Sequence, residues 1–366
     1  MIDPIQIAGL CSAELVSLAR SRLLHAAGIA PSIYKDALRF GRFEPERFGL
    51  SERSIRGWRE HFRFDLPPVV RTLCEVTESG TTAKAVLALA DGLECECVLL
   101  PMGDERSTLC VSSQIGCKMG CRFCETARMG LLRHMTSAEI VAQILVARHV
   151  LDWQFRNVVF MGMGEALDNE AVIPVLRVLT DSSGIGMSQE RITICTVGRV
   201  DGIRRLQALG MKRLNLSISL NAANDALRSE LMPINRVVPL AELQAVLQGY
   251  RPRANFALGV NYCLMPGKND GPDHAREVAE FCRPLGRIMV NVIPYNPGSV
   301  PLTRAPSEPE IETFIEHLRA QGLPVRRRIT KGRSVMAACG QLGNVELRSL
   351  RRKGELTAPS VDPGCD

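Results

Sequence analysis

The 366-residue sequence contains no apolar run approaching the roughly 18 residues needed to span a bilayer, which excludes a helical membrane protein. Its opening stretch, "MIDPIQIAGLCSAELVS", has no basic segment of the kind that begins a secretory signal, so a cytoplasmic location is expected. An even cysteine count is missing too: there are 13, and they cannot all pair internally. In a long chain without a leader, thiols point to metal or catalytic use rather than to a disulfide framework. Strong charge of one sign is also absent. A net charge of +6 is mildly basic, which permits an anionic partner without requiring one.

The most informative absence is a fourth ligand. The stretch "CKMGCRFC" places Cys117, Cys121 and Cys124 within eight residues and supplies no further cysteine or histidine beside them. Structural zinc closes its tetrahedron with four protein ligands. Iron–sulfur clusters also take Cys thiolates, and a cluster held by only three keeps one iron open for another ligand.

What is present reads as a series of elements. Residues 1–65 are expected to form a helical unit. "SAELVSLARSRLLHAAG" has Ser12 as cap and Gly28 as stop, and "SERSIRGWREHFRF" begins at Ser51. Basic residues and aromatics such as Tyr34, Phe40, Trp58 and Phe62 alternate there. That mixture suits RNA contact, but a helical bundle using most of the rings as its core is the favoured reading. Residues 66–105 read as an antiparallel β extension: "VVRTLCEVT", "TAKAVLALADG" and "ECECVLLP" are separated by turn signals. From 106 to 343 strands alternate with helices. "STLCVSS" precedes the cysteine loop, and Thr136 with Glu139 and Ser307 with Glu310 form capping boxes. This pattern predicts an α/β fold with a parallel sheet, closed or partly closed into a barrel, with chemistry at the carboxyl ends of its strands. Residues 344–366 read as a basic tail. "RRRITKGR" at 326–333 and "RSLRRK" at 348–353 are dense enough to meet a phosphate backbone.

The CxxxCxxC spacing, together with "TLCVSSQIGCKMGCRFCETARMG", "VVFMGMGEAL", "LMPIN" and "AACGQLGN", resembles the radical S-adenosylmethionine (SAM) RNA adenine methyltransferases, the RlmN/Cfr family, from about residue 94 to 343. The resemblance implies a partial (β/α) barrel of radical SAM type. It also implies a 4Fe–4S cluster on Cys117, Cys121 and Cys124, with SAM chelating the open iron. Gly164 and Glu165 of "GMGE" would hold the methionine part of SAM: glycine allows close approach, and the carboxylate accepts from the ammonium group. Cys195, Ser219, Leu220, Asn221 and Asn296 match further SAM contacts. Cys195 stands where the family has Ser, and Asn221 where it has His.

The same resemblance assigns two more cysteines. Cys339 would take a methyl group from one SAM, and a second SAM would supply the radical that activates that methyl for addition to the base. Cys110 would then resolve the protein–RNA adduct through a transient disulfide with Cys339. Cys339 sits beside Gly340 in a loop expected to be flexible. Glu96 matches the proton acceptor of the family, and Glu94 shares its strand face as a rival. Ribosomal RNA is the implied substrate, with transfer RNA as a second, and carbon 2 and carbon 8 of adenine both stay open. A flavodoxin or ferredoxin would supply electrons, and the chain is expected to act as a monomer. The competing readings are a radical SAM enzyme acting on a peptide or small molecule and a non-catalytic RNA-binding protein.

Overall fold

The computed structural model describes residues 3–103 and 106–353. Ten strands build one mixed sheet: β1 (Val69–Thr77), β2 (Gly80–Ala88), β3 (Glu94–Pro101), β4 (Ser107–Cys110), β5 (Asn157–Phe160), β6 (Ile192–Thr196), β7 (Asn215–Ser219), β8 (Leu258–Leu264), β9 (Ile288–Pro294) and β10 (Val325–Arg327). They lie side by side in chain order. Neighbours from β4 to β10 are parallel. From β1 to β4 they are antiparallel. Among the described residues β1 and β10 do not pair, so the barrel is open. The antiparallel strands extend the parallel sheet directly, because Val98 to Pro101 of β3 pair with Cys110 to Ser107 of β4.

Local chemistry accounts for most elements. The parallel strands are nearly continuous apolar runs, as strands covered on both faces must be. The helix Ser137–His149 starts at a capping box. Glu139 N–H donates to Thr136 Oγ1 at 3.2 Å, and Thr136 N–H donates to the Glu139 carboxylate at 2.8 Å. The helix Glu308–Ala320 starts the same way at Ser307. Between the strands run the helices Val172–Thr180, Val200–Ala208, Leu240–Gly249 and Pro272–Cys282. Each strand-to-helix connection lies at the carboxyl rim, where the cysteine loop leaves β4.

The N-terminal helices differ from the sequence reading in detail. The first spans Ser12–Arg22, capped by Cys11 and not Ser12, and it stops six residues before Gly28. Ser12 N–H instead reaches the Asp181 carboxylate at 2.7 Å. The helix stops where Leu23 turns extended, at φ −101° and ψ 125°, and beyond it Ala26 turns to φ +62° and accepts from the Trp58 indole at 3.2 Å. Tyr34, Trp58 and Phe62 are buried, as the bundle reading expected, while Phe40 is exposed. Their neighbours join the same continuous core as the barrel helices. The basic run at 326–333 hides a strand the sequence reading missed. β10 pairs with Val290–Val292 of β9, and charged side chains suit it as an edge strand. Of the range 344–366, read from the sequence as a basic, partly disordered tail, residues Leu347–Lys353 form a helix, and those beyond 353 lie outside the described residues.

Gly116 fixes the entry to the cysteine loop. Its φ is +75°, and a Cβ there would meet the Gly130 carbonyl oxygen at 1.8 Å. Gly49 has a similar φ, +61°, but open space around it. Gly49→Ala should therefore cost about 1 kcal/mol from backbone strain alone, and Gly116→Ala about 3 kcal/mol or more. Urea denaturation of the two variants checks this, and equal losses would show that the close approach at Gly116 is not what makes glycine necessary.

Candidate active site

The cysteine loop is shaped by backbone hydrogen bonds. Cys117 N–H donates to the Gly130 carbonyl at 3.1 Å, Cys124 N–H to Cys121 at 3.2 Å, and Arg122 N–H to Leu231 at 3.0 Å. Gly116 and Gly120, both at positive φ, bracket the first ligand position. These constraints turn Cys117, Cys121 and Cys124 toward one cavity. Its wall is apolar, with Met119, Met232, Met265 and Tyr295 packed around the thiols. Burial pushes the Cys117 thiol up to about 12 and raises those of Cys121 and Cys124. Thiols held neutral in an apolar wall give up their protons only to a partner that brings positive charge. No three acidic, histidine or cysteine side chains converge on a single-ion site among the described residues. Three thiols around one cavity, not around one point, fit a group of cluster size.

Across the cavity lies the turn Gly162–Glu165. A Cβ on Gly164, whose φ is +97°, would meet the Gln114 side chain at 2.5 Å. Gln114 Oε1 in turn accepts from Glu165 N–H at 2.8 Å. The Glu165 carboxylate is buried, and burial raises its pKa to about 7. Thr196 Oγ1 donates to it at 2.6 Å, Val197 N–H at 2.9 Å and Leu167 N–H at 3.1 Å. A carboxylate this well oriented, at the edge of a cavity and without a cation, is shaped to receive one.

The remaining sequence-expected contacts divide. Cys195, Ser219 and Asn221 line the same cavity as the three thiols. Asn221 adopts φ +59°, a conformation Asn tolerates better than most residues. Its amide is already engaged: Oδ1 accepts from Cys263 N–H at 2.8 Å, and Nδ2 lies 3.2 Å from Met232 Sδ. Leu220 is fully buried in the hydrophobic core and does not line the cavity. Asn296 lines an adjoining cleft, where it donates to the Cys339 carbonyl at 3.3 Å and accepts from Arg333 at 3.0 Å.

Cys339 lies where the two spaces meet. It lines both, as do Met161, Cys195 and Ile293. Its loop was expected to be loose; instead it is docked. Glu125 N–H donates to the Gly340 carbonyl at 2.8 Å, Thr126 Oγ1 to Leu342 at 2.6 Å, and Gln341 Nε2 to Pro297 at 2.8 Å. Cys110 lines the adjoining cleft, buried, and Cys339 is among the groups that raise its pKa after burial itself. Glu96 lines neither space. Its buried carboxylate lies 3.6 Å from Lys84 Nζ and accepts from Gly343 N–H at 3.1 Å, so it holds the far end of the Cys339 loop. Burial raises its pKa, against the pull of Lys84. Glu94, at the start of β3, is half-buried. The adjoining cleft is edged by Arg191, Arg326, Arg327, Arg328 and Lys331.

Sequence reasoning missed Thr196, the hydroxyl that fixes Glu165, and Arg228, a fully buried guanidinium behind the cavity. A polar residue directly after Cys195 at a strand end was the available signal for the first.

Comparison with known proteins agrees with this geometry. The family model for the radical SAM superfamily matches residues 111–282. A probable dual-specificity RNA methyltransferase RlmN 1 from Protochlamydia amoebophila is 43% identical over 286 residues, which cover 78% of each chain. The dual-specificity RNA methyltransferase RlmN of Rhodopseudomonas palustris is 36% identical, covering 95% of this chain and 94% of its own. A radical SAM methyltransferase from Sphaerobacter thermophilus superposes with a TM-score of 0.82 at 34% identity, over 92% of this chain and 99% of its own. The chain therefore belongs to the RlmN family of radical SAM RNA methyltransferases, enzymes that use a 4Fe–4S cluster and SAM.

Proposed function

We propose that this enzyme methylates carbon 2 or carbon 8 of an adenine in 23S ribosomal RNA, with transfer RNA as a second substrate. The observation that carries the reading is the position of Cys339, which lines both the thiol-walled cavity and the basic cleft. Cys117, Cys121 and Cys124 would hold the 4Fe–4S cluster, and Gly164 and Glu165 the methionine part of SAM. Ser219, Asn221 and Cys195 border the same cavity, while Leu220 would contribute only through its backbone. Together the cluster and SAM supply a methyl group and a radical able to abstract hydrogen.

The chain's own residues do the rest. The Cys339 sulfur accepts the methyl and carries it to the junction with the cleft, where the base would lie. Cys339 is exposed; desolvation of its sulfur among its neighbours still raises its pKa, and Arg328 opposes that by favouring the thiolate form. The cleft, about 590 Å³, is within the range of pockets that enclose small molecules, and its cations would meet the flanking phosphates. After methylene transfer and proton loss from the base, the Cys110 thiolate would attack the Cys339 sulfur. The bond from that sulfur to the methylene carbon breaks, the carbon keeps the electron pair and takes up a proton to become the methyl group, and a Cys110–Cys339 disulfide is left. Glu96 or Glu94 would take the proton lost from the base; the nearness of Glu96 to Gly343 ties it to the moving loop. Asn296 holds the Cys339 carbonyl and so acts on the carrier loop. The enzyme would work as a cytoplasmic monomer, reduced by a flavodoxin or ferredoxin, with its N-terminal helices as an accessory RNA-contacting unit.

Nucleoside mass spectrometry of ribosomal RNA from cells with and without the gene tests the substrate. An adenosine one methyl heavier should disappear with the gene and return with wild type but not with Cys339→Ala. Comparison with carbon-2 and carbon-8 standards gives the position. An unchanged nucleoside profile would remove ribosomal adenine as the substrate.

Glu165 sets a pH dependence. Its pKa of about 7 is raised, so the carboxylate needed for the ammonium group is lost as pH falls through that value. SAM affinity should drop about five- to tenfold from about pH 7.5 to about pH 6, because affinity scales with the competent fraction. Glu165→Gln should bind weakly at both values with no such slope. Calorimetric titration reads both, and a flat wild-type profile would contradict the role given to Glu165.

A further inference from the structure

Arg228 takes no part in the chemistry set out above, yet its burial needs a reason. It is 1% exposed, and an uncompensated charge in such a place costs several kcal/mol. Its N–H groups are well satisfied. Nε donates to the Leu220 carbonyl at 3.1 Å, and Nη1 to Asn235 Oδ1 at 2.7 Å. Nη2 donates to Val197 at 2.6 Å and to Ser219 at 3.4 Å. All four acceptors are neutral, so the donors are used while the positive charge stays uncancelled. The carboxylate of Asp225 faces elsewhere, to Asn235 Nδ2 at 2.7 Å and Leu240 N–H at 3.0 Å.

The helix that carries this charge packs against the cysteine loop. Arg228 lies on the helical turn Asp225–Leu231, whose Leu227 and Leu231 pack with Cys117 and Cys121. The Leu231 carbonyl binds Arg122 N–H, within the cysteine stretch. Its guanidinium, bonded to the carbonyls of Val197 and Ser219, sits at the rim of the cavity that these two residues and Cys121 line. Burial draws its pKa down to about 10, which leaves it cationic at neutral pH.

We propose that Arg228 is a positioning residue for electron transfer, whose fixed positive charge beside Cys121 raises the reduction potential of the cluster held by Cys117, Cys121 and Cys124. This rests on the ligand assignment given under the proposed function. Reduction adds one electron to the cluster and breaks no bond. The added negative charge is stabilised by a cation that water screens poorly in this interior. Three of the four acceptors are carbonyls on the strand ends that border the SAM cavity, so one side chain both clamps the rim and supplies the charge.

The test is a potentiometric titration with dithionite and mediator dyes on anaerobically reconstituted protein without SAM, followed by the electron paramagnetic resonance signal of the reduced cluster. Arg228→Gln should move the midpoint to a more negative value, and Arg228→Lys should return it most of the way. Asp225→Asn, which keeps the guanidinium and removes the negative charge on the same helical turn, should move the midpoint the other way. If Arg228→Gln does not fold, judged by circular dichroism, the Asp225→Asn shift decides the matter. The proposal is overturned by a wild-type midpoint in Arg228→Gln, by equal falls in the Gln and Lys variants, or by an unmoved midpoint in Asp225→Asn. A wild-type protein that holds no reducible cluster would instead overturn the ligand assignment beneath it.

Discussion

A single backbone hydrogen bond, 2.8 Å from Glu125 N–H to the Gly340 carbonyl, joins the two segments on which the active site depends. Glu125 directly follows the last thiol of the CxxxCxxC stretch, and Gly340 directly follows Cys339. The bond therefore sets the distance between the cysteine loop and the Cys339 sulfur proposed to carry the methyl group. Its neighbours reinforce it: Thr126 to Leu342 on one side, Gln341 to Pro297 and Asn296 to Cys339 on the other. Buried Glu96, paired with Lys84 and bonded to Gly343, anchors the end of the same loop. Release of the loop for the resolving step would require these bonds to exchange together, a concerted event and not a drift of a loose tail.

The charge balance of the site complements this geometry. Three thiols and one carboxylate are buried in a largely apolar cavity, and burial raises the pKa of each. Acids so placed favour the arrival of positive charge, which the iron cluster and the ammonium group of SAM would both bring. On the other side of Cys339 the sign is reversed, with arginines and a lysine around the cleft. In the proposed reading, electrostatics would sort a cationic cofactor and an anionic polymer to opposite faces of one sulfur.

How much of this was legible in the sequence depended on the range of the interaction. While the "GMGE" turn gained its expected role only from the family resemblance, the three closely spaced cysteines and both capping boxes are local signals that spacing makes visible. The alternation of strands and helices gave the open α/β barrel for the same reason. The first helix was read too long because Leu23 turns extended before the Gly28 stop signal, and the segment after it is held by Trp58, which donates to the Ala26 carbonyl from 32 residues away. β10 was hidden because an edge strand of arginines lacks an apolar signature. Cys339 could be linked to the cluster only through family resemblance, since the contacts that bring it there join residues such as Thr126 and Leu342, 216 positions apart. Arg228 and Thr196 act on carbonyls and a carboxylate that converge only in the folded state. For Thr196 its place at a strand end was a local hint; for Arg228 no spacing rule existed.

The central claim is that Cys339 carries the methyl group to the base and Cys110 releases it. The direct measurement is a denaturing gel of the Cys110→Ala and Cys339→Ala variants, each incubated anaerobically with SAM, reductant and ribosomal RNA. Cys110→Ala should accumulate protein covalently joined to RNA, a shifted band that nuclease removes, while Cys339→Ala should give none and never label its own polypeptide from methyl-labelled SAM. Normal turnover by Cys110→Ala, with no crosslink, would contradict the account.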